Sequence, residues 1–266
     1  MKTVTIEGLL QWAFCQELCK VGAGSGDGLT AVASSNWEVT RDMAVLGTII
    51  DKSPNLYGVV PGFIEDGEPH PDAVKVGEAV RALAGIGIDL PEGWMPFPEF
   101  EDPYGLIAGE VERVADEVRI KGDLLSGRHL VALVTRAAIL GHGPDWRCDQ
   151  PSFLVVSAHG KPRWFVKKKA RDAFNRIYEF EGNGYDSKRC KPVRGAYRKY
   201  ELERMLRGDI LSRLDWQLWQ DALQQLANQL DGNLGAHRLM PFFPNRAPWG
   251  GYKKMADEAH VVENAI

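Results

Sequence analysis

Between Arg163 and Glu181 the chain reads RWFVKKKARDAFNRIYEFE, a run that mixes cations with aromatic rings. Basic side chains neutralise phosphates and aromatic faces stack on exposed bases, so these residue types together suit a single-stranded or flexible nucleic acid. With Asp172-Ala173 as a two-residue turn, the expected register sets Arg171 opposite Phe174, Lys169 opposite Arg176, Lys167 opposite Tyr178 and Phe165 opposite Phe180. One face then carries Arg163, Lys167, Lys169, Arg171 and Arg176 interleaved with Phe165, Phe174, Tyr178 and Phe180, while Trp164, Val166, Ile177 and two glutamates fall on the other. Lys168 completes the lysine triplet. Shifting the register by one residue gives a different outcome: the rings join Trp164 and Val166 in a core face, and the lysines become a solvated edge that discourages strand-to-strand association.

The basic character continues past the hairpin. DSKRCKPVRGAYRKY adds Lys188, Arg189, Lys191, Arg194, Arg198 and Lys199, with Tyr197 and Tyr200 among them. From Lys161 to Arg213 there are 16 Lys+Arg against 7 Asp+Glu, a balance of +9, and the rest of the chain carries −13. Such asymmetry speaks to partners rather than fold, and a basic loop after a basic hairpin could dock on DNA as a wing beside a helix. No helix carries a recognition signature.

Other chemistry is sparse. Cys15 and Cys19 lie four apart on a predicted helix, but Cys148, Cys190 and the six scattered histidines show no paired metal-ligand spacing. The glycines of VGAGSGDG follow a helix rather than a strand, which removes the context of a dinucleotide or phosphate loop. Carboxylates gather at Glu99, Glu101 and Asp102 and again at Glu110, Glu112, Asp116 and Glu117, where the face opposite Val111, Val114 and Val118 must be polar in any case. No hydrolase or protease motif is present, so the sequence points to a non-enzymatic binder without a cofactor.

The elements that must position the ribbon follow from periodicity. Helices are predicted at about 5–19, 38–51, 71–85, from Asp102-Pro103 through Val118, and from Ser126 to Gly141, with an irregular proline-rich connector at 89–103. Strands are predicted in FLVVSA, RWFVKKKARD and FNRIYEFE, with a fourth near GAYRKYEL. Leu211, Leu214, Leu218, Ala222, Leu226 and Leu230 mark a long helix over 209–231, with Trp216 and Trp219 as core or partner-packing residues. The expected fold class is α+β: mainly helical, with a three- to four-stranded antiparallel β-meander at 152–200 and a long C-terminal helix. The expected organisation is a helical acidic region 1–150, a basic region 151–240 continuous with it or separate, and an irregular tail 241–266.

The 266 residues are 44% hydrophobic and 26% charged, an ordinary globular balance. No apolar run reaches membrane-spanning length, MKTVTIEGLLQWAFCQELCK lacks the apolar core of a signal peptide, and four cysteines are too few for a disulfide scaffold. A cytoplasmic protein with free thiols and no membrane partner is expected. At TIEGLLQWAFCQEL, GRHLVALVTRAAILGHGPDW, RGAYRKYE and GDILSRLDWQLWQDALQQL the chain resembles a group of uncharacterised alphaproteobacterial proteins often found in prophage-like or mobile regions. That resemblance implies a bacterial, phage-linked setting and brings no site residue. The resulting expectation is nucleic-acid binding, DNA or RNA, through the basic segment. The alternatives are a protein-interaction or assembly role through the 209–231 helix, and a metal-dependent nucleic-acid-processing enzyme.

Overall fold

The computed structural model describes residues 1–20, 57 and 68–251. The expected glycine loop and the helix at 38–51 lie outside the described residues. Strand β1 (Lys2–Val4) leads into α1 (Ile6–Trp12), whose first turn is closed by the Thr5 hydroxyl accepting from Gly8 N–H at 3.1 Å. The helix predicted to run on to 19 changes pitch at Ala13 and continues as a π-helix over Ala13–Glu17. Such single π turns insert one residue and re-aim the side chains that follow.

Helix α2 (Pro71–Ala82) opens with Pro71 in its first turn and tightens into a 3-10 turn at Leu83–Gly85. Helix α3 (Leu106–Lys121) begins later than expected. Gly105, at φ 68°, is its cap residue, and Asp102 caps from further back by accepting from Leu106 and Ala108 N–H, each at 2.9 Å. Helix α4 (Gly127–Leu140) starts at the Ser126 cap and stops at left-handed Gly141, as its sequence predicts.

The expected meander does not form. Among the described residues four two-stranded ladders take its place, β2 (Phe153–Val155) with β9 (Tyr200–Leu202), β3 (Ser157–Ala158) with β4 (Lys161–Pro162), β5 (Phe165–Arg171) with β6 (Ile177–Asn183), and β7 (Tyr185–Asp186) with β8 (Lys191–Pro192), and a fifth joins β1 to β10 (His237–Leu239). His159 and Gly160, at φ 52° and 73°, make a tight hairpin of their own. That turns the chain back early and frees β2 to pair with β9 instead of β5. The β1–β10 pair is parallel; the other four are antiparallel.

Helix α5 (Arg207–Leu230) buries Leu214, Leu218, Ala222, Leu226 and Leu230 of its expected stripe, with Leu211 half-buried, and adds Ile210, Trp219 and Leu223. It shares one apolar core with α1 to α4, whereas the ladders between Phe153 and Leu202 touch that core mainly through those two end residues. After β10 the chain is irregular, but it is not a loose tail throughout the described residues: a 3-10 turn at Pro248–Gly251 buries Trp249. All four cysteines are free thiols, and no described helix is long and apolar enough to cross a membrane.

Candidate nucleic-acid interface

The hairpin β5–β6 pairs in a register three residues away from the expected one. Lys167 faces Glu181, Lys168 faces Phe180, Lys169 faces Glu179, Ala170 faces Tyr178 and Arg171 faces Ile177. The cause is the loop. Asp172 accepts from the N–H groups of Phe174 and Arg176 at 2.9 and 2.8 Å and donates its own N–H to Arg176 C=O, while Asn175 adopts φ 62°. Five residues, Asp172 to Arg176, are thus drawn into the turn. An odd shift exchanges the faces of one strand relative to the other.

The two faces are consequently unlike. One carries Lys167, Lys169 and Arg171 against Glu179 and Glu181, with Lys169 Nζ 3.4 Å from Glu179. Glu181 also accepts from Lys199 Nζ and Tyr197 hydroxyl, and those two bonds, with Lys167 nearby, hold its carboxyl below the usual range. The other face carries Val166, Lys168 and Ala170 against Tyr178, Phe180 and Gly182, with no acidic residue. Lys168 lays its stem across Gly182, where an added Cβ would come within 3.0 Å of Lys168 Cδ.

Phe165 differs from the platform the sequence suggested. It is only 8% exposed, exchanges backbone hydrogen bonds with Tyr197 at 2.9 and 2.8 Å, and lies under the Arg163 guanidinium and the Lys199 ammonium. It anchors the base of the ribbon. Gly184 crosses against it so closely that a Cβ there would meet Phe165 backbone at 2.7 Å. At the far end Phe174 is 82% exposed under Arg176, and Arg171 donates to Asn175 Oδ1. Lys188, Arg189, Lys191, Arg194 and Arg198 are all exposed on the following loop and β8; Arg189 lies 3.9 Å from Asp186, and Arg198 covers the Trp164 ring at 4.6 Å. The structure therefore leaves most of the predicted cations exposed, but divides them between a neutralised face, an open face and a loop.

The carboxylates do not converge into an ion site. Glu110 pairs with Arg113, Asp116 with Arg119, Glu117 with Lys121 and Arg207, and Glu99 with Arg213. A different polar centre was not expected from sequence. Asp72, His70 and His237 bring ligand atoms within 4.8 Å of one another, the one such trio among the described residues. Asp72 already accepts from Gly235, Ala236 and His237 N–H and from His237 Nδ1, at 2.7 to 3.1 Å. His70 Nδ1 accepts from Asp72 N–H at 3.0 Å, so its lone pair is spent on the helix cap. The atoms that meet are bonded to each other, which makes the trio a latch between α2 and β10 rather than a cation site. Trp12 covers both rings, at 5.4 Å from His70 and 4.5 Å from His237. No spacing signals it, because β1–β10 pairing alone brings position 237 beside the N-terminal helices.

Comparison with protein-family models, curated proteins and solved structures gives no match.

Proposed function

We propose that the protein binds nucleic acid through the β5–β6 ribbon and the loop that follows it, in a cytoplasmic, bacterial and mobile-element setting. One observation carries this: the region from Lys161 to Lys199 holds 13 Lys+Arg against 4 Asp+Glu, and most of those cations are exposed on a ribbon outside the core. Concentrated positive charge on a chain of net −4 favours a polyanion, because each phosphate contact releases condensed counterions. The metal-dependent alternative finds Glu99, Glu110, Asp116 and Glu117 already ion-paired and Asp102 capping a helix. The assembly alternative finds most of the stripe of α5 spent on the core, and Trp216 donating its indole N–H to Asn245 C=O.

The test is binding of labelled DNA and RNA oligonucleotides, followed by fluorescence anisotropy across a salt series. The logarithm of affinity should fall linearly with the logarithm of salt. Replacing Lys191 and Arg194 together by alanine should flatten that slope by about 1 to 2 units, weakening all sequences nearly alike. Neither residue has an ion-pair partner among the described residues. Absence of salt-sensitive binding to any oligonucleotide at low ionic strength would leave the ribbon a solvated edge.

A further inference from the structure

We infer that the ribbon's contact face is the one bearing Lys168, Tyr178 and Phe180, and that it takes unpaired bases, single-stranded DNA or RNA, in preference to duplex; this rests on the nucleic-acid function proposed above. Tyr178 and Phe180 are 50% and 42% exposed with ring centroids 6.1 Å apart, although hydrophobic area of this size is ordinarily buried. A lone two-stranded hairpin is only marginally stable in water, and among the described residues β6 packs chiefly on β5, so the two rings stay half exposed rather than making a core. What they can offer is flat π surface, which every base matches and which sequence does not restrict.

Charge selects the occupant. On the opposite face Glu179 and Glu181 answer Lys169, Lys167 and Lys199, so a phosphate approaching there meets carboxylates. The Tyr178–Phe180 face has no carboxylate, and Lys168, the register partner of Phe180 and without an ion pair among the described residues, holds its ammonium over Gly182 on that same face. A ring-and-ammonium surface free of acidic groups accommodates a base on the ring and its phosphate on the lysine. A duplex keeps its base faces inside the stack and shows only edges and phosphates, so it can use Lys168 but not the rings. At the tip, Phe174 with Arg176 extends the same combination of ring and cation.

The experiment compares the full chain with a Tyr178→Ala/Phe180→Ala variant on three probes of one length: a single strand, the corresponding duplex, and an abasic single strand that keeps the phosphates but lacks the bases. The intact protein should prefer the single strand to both other probes. The double variant should lose about tenfold or more on the single strand, consistent with one or two stacked bases, and change little on duplex or abasic strand. Its thermal midpoint should stay within experimental error, since both rings are half in water, and Tyr178→Phe/Phe180→Trp should retain binding. Equal affinity for single strand and abasic strand, or an unchanged single-strand affinity in the alanine variant, overturns the inference while salt-sensitive binding leaves the nucleic-acid function standing. Loss of self-association in the alanine variant with intact single-strand binding would instead make the face a contact between copies of this chain, and also overturns it. No binding to any of the three probes removes both.

Discussion

Asp72 shows how a single buried charge can hold two distant parts of a chain. Burial alone would raise its pKa, but donors from Gly235, the His237 ring, Ala236 and His237 N–H outweigh that and hold the carboxyl far below its ordinary range. A carboxyl whose folded pKa is depressed stabilises the fold above its unfolded pKa, near 4, and loses that contribution as pH falls towards the folded value. The latch should therefore be fully engaged at neutral pH and weaken progressively in acid. Asp72→Asn should cost about 3 kcal/mol at neutral pH, because an amide offers one acceptor where four donors converge. The deficit relative to the unchanged protein should shrink in acid, and urea unfolding at several pH values measures both. This latch was illegible in the sequence: Asp72 reads as an ordinary acidic residue in a first helical turn, and nothing local pairs it with position 235. By contrast, the exposure of Lys188, Lys191 and Arg194 was legible, because isolated cations in a glycine-containing loop have nowhere to be buried.

At the scale of elements, caps and stripes were readable and register was not. Ser126, Pro71 and Gly141 each act through local backbone chemistry, so α2 and α4 start or stop where those residues fall. The ribbon failed by three residues because Asp172 and Asn175 enlarge the turn: an aspartate that accepts from two later N–H groups, and an asparagine tolerant of positive φ, are the signals a two-residue turn overlooked. The π turn after α1 leaves no signature that periodicity can detect. Close approach of elements is equally hidden, and Gly127 is the sharpest instance. A Cβ there would lie 2.1 Å from Leu83 C=O oxygen, so α4 meets the 3-10 turn after α2 only because residue 127 has no side chain. Gly127→Ala should therefore separate the two and cost about 2 kcal/mol or more, in the range for overpacking. Gly109, inside α3 with nothing within 4 Å, is the control, and Gly109→Ala should stabilise by about 0.5 to 1 kcal/mol. Opposite signs in thermal unfolding would confirm the packing; a loss at both would assign the effect to the substitution itself.

Across the whole molecule, Arg213 joins segments that periodicity treats separately. It sits on α5 and is 2% exposed, and it donates to Pro96 and Trp146 C=O, contacts Cys148 Sγ at 3.1 Å and pairs with Glu99. Its guanidinium also lies between the rings of Phe97, at 4.6 Å, and Trp249, at 4.5 Å. The proline-rich connector, the segment after α4, the last long helix and the chain's final described turn thus converge on one cation. Counted along the sequence it is merely one of the basic residues near the ribbon, and its burial could not be foreseen because its partners are spread over 150 positions, from Pro96 to Trp249. Glu99 Oε2 has no hydrogen-bond partner among the described residues, where this carboxylate is compensated by Arg213. Arg213→Met keeps much of the volume but strands that charge and removes the donors to the Pro96 and Trp146 carbonyls, and should cost about 3 to 5 kcal/mol. Adding Glu99→Gln removes the stranded charge and should recover about 1 to 2 kcal/mol, a coupling readable from a double-mutant cycle in urea. A loss below about 1 kcal/mol for Arg213→Met would mean that water or repacking replaces the cation. Because the β5–β6 ribbon lies outside the core that Arg213 ties together, the same variant, kept under conditions where it is folded, should bind single strands as the unchanged protein does.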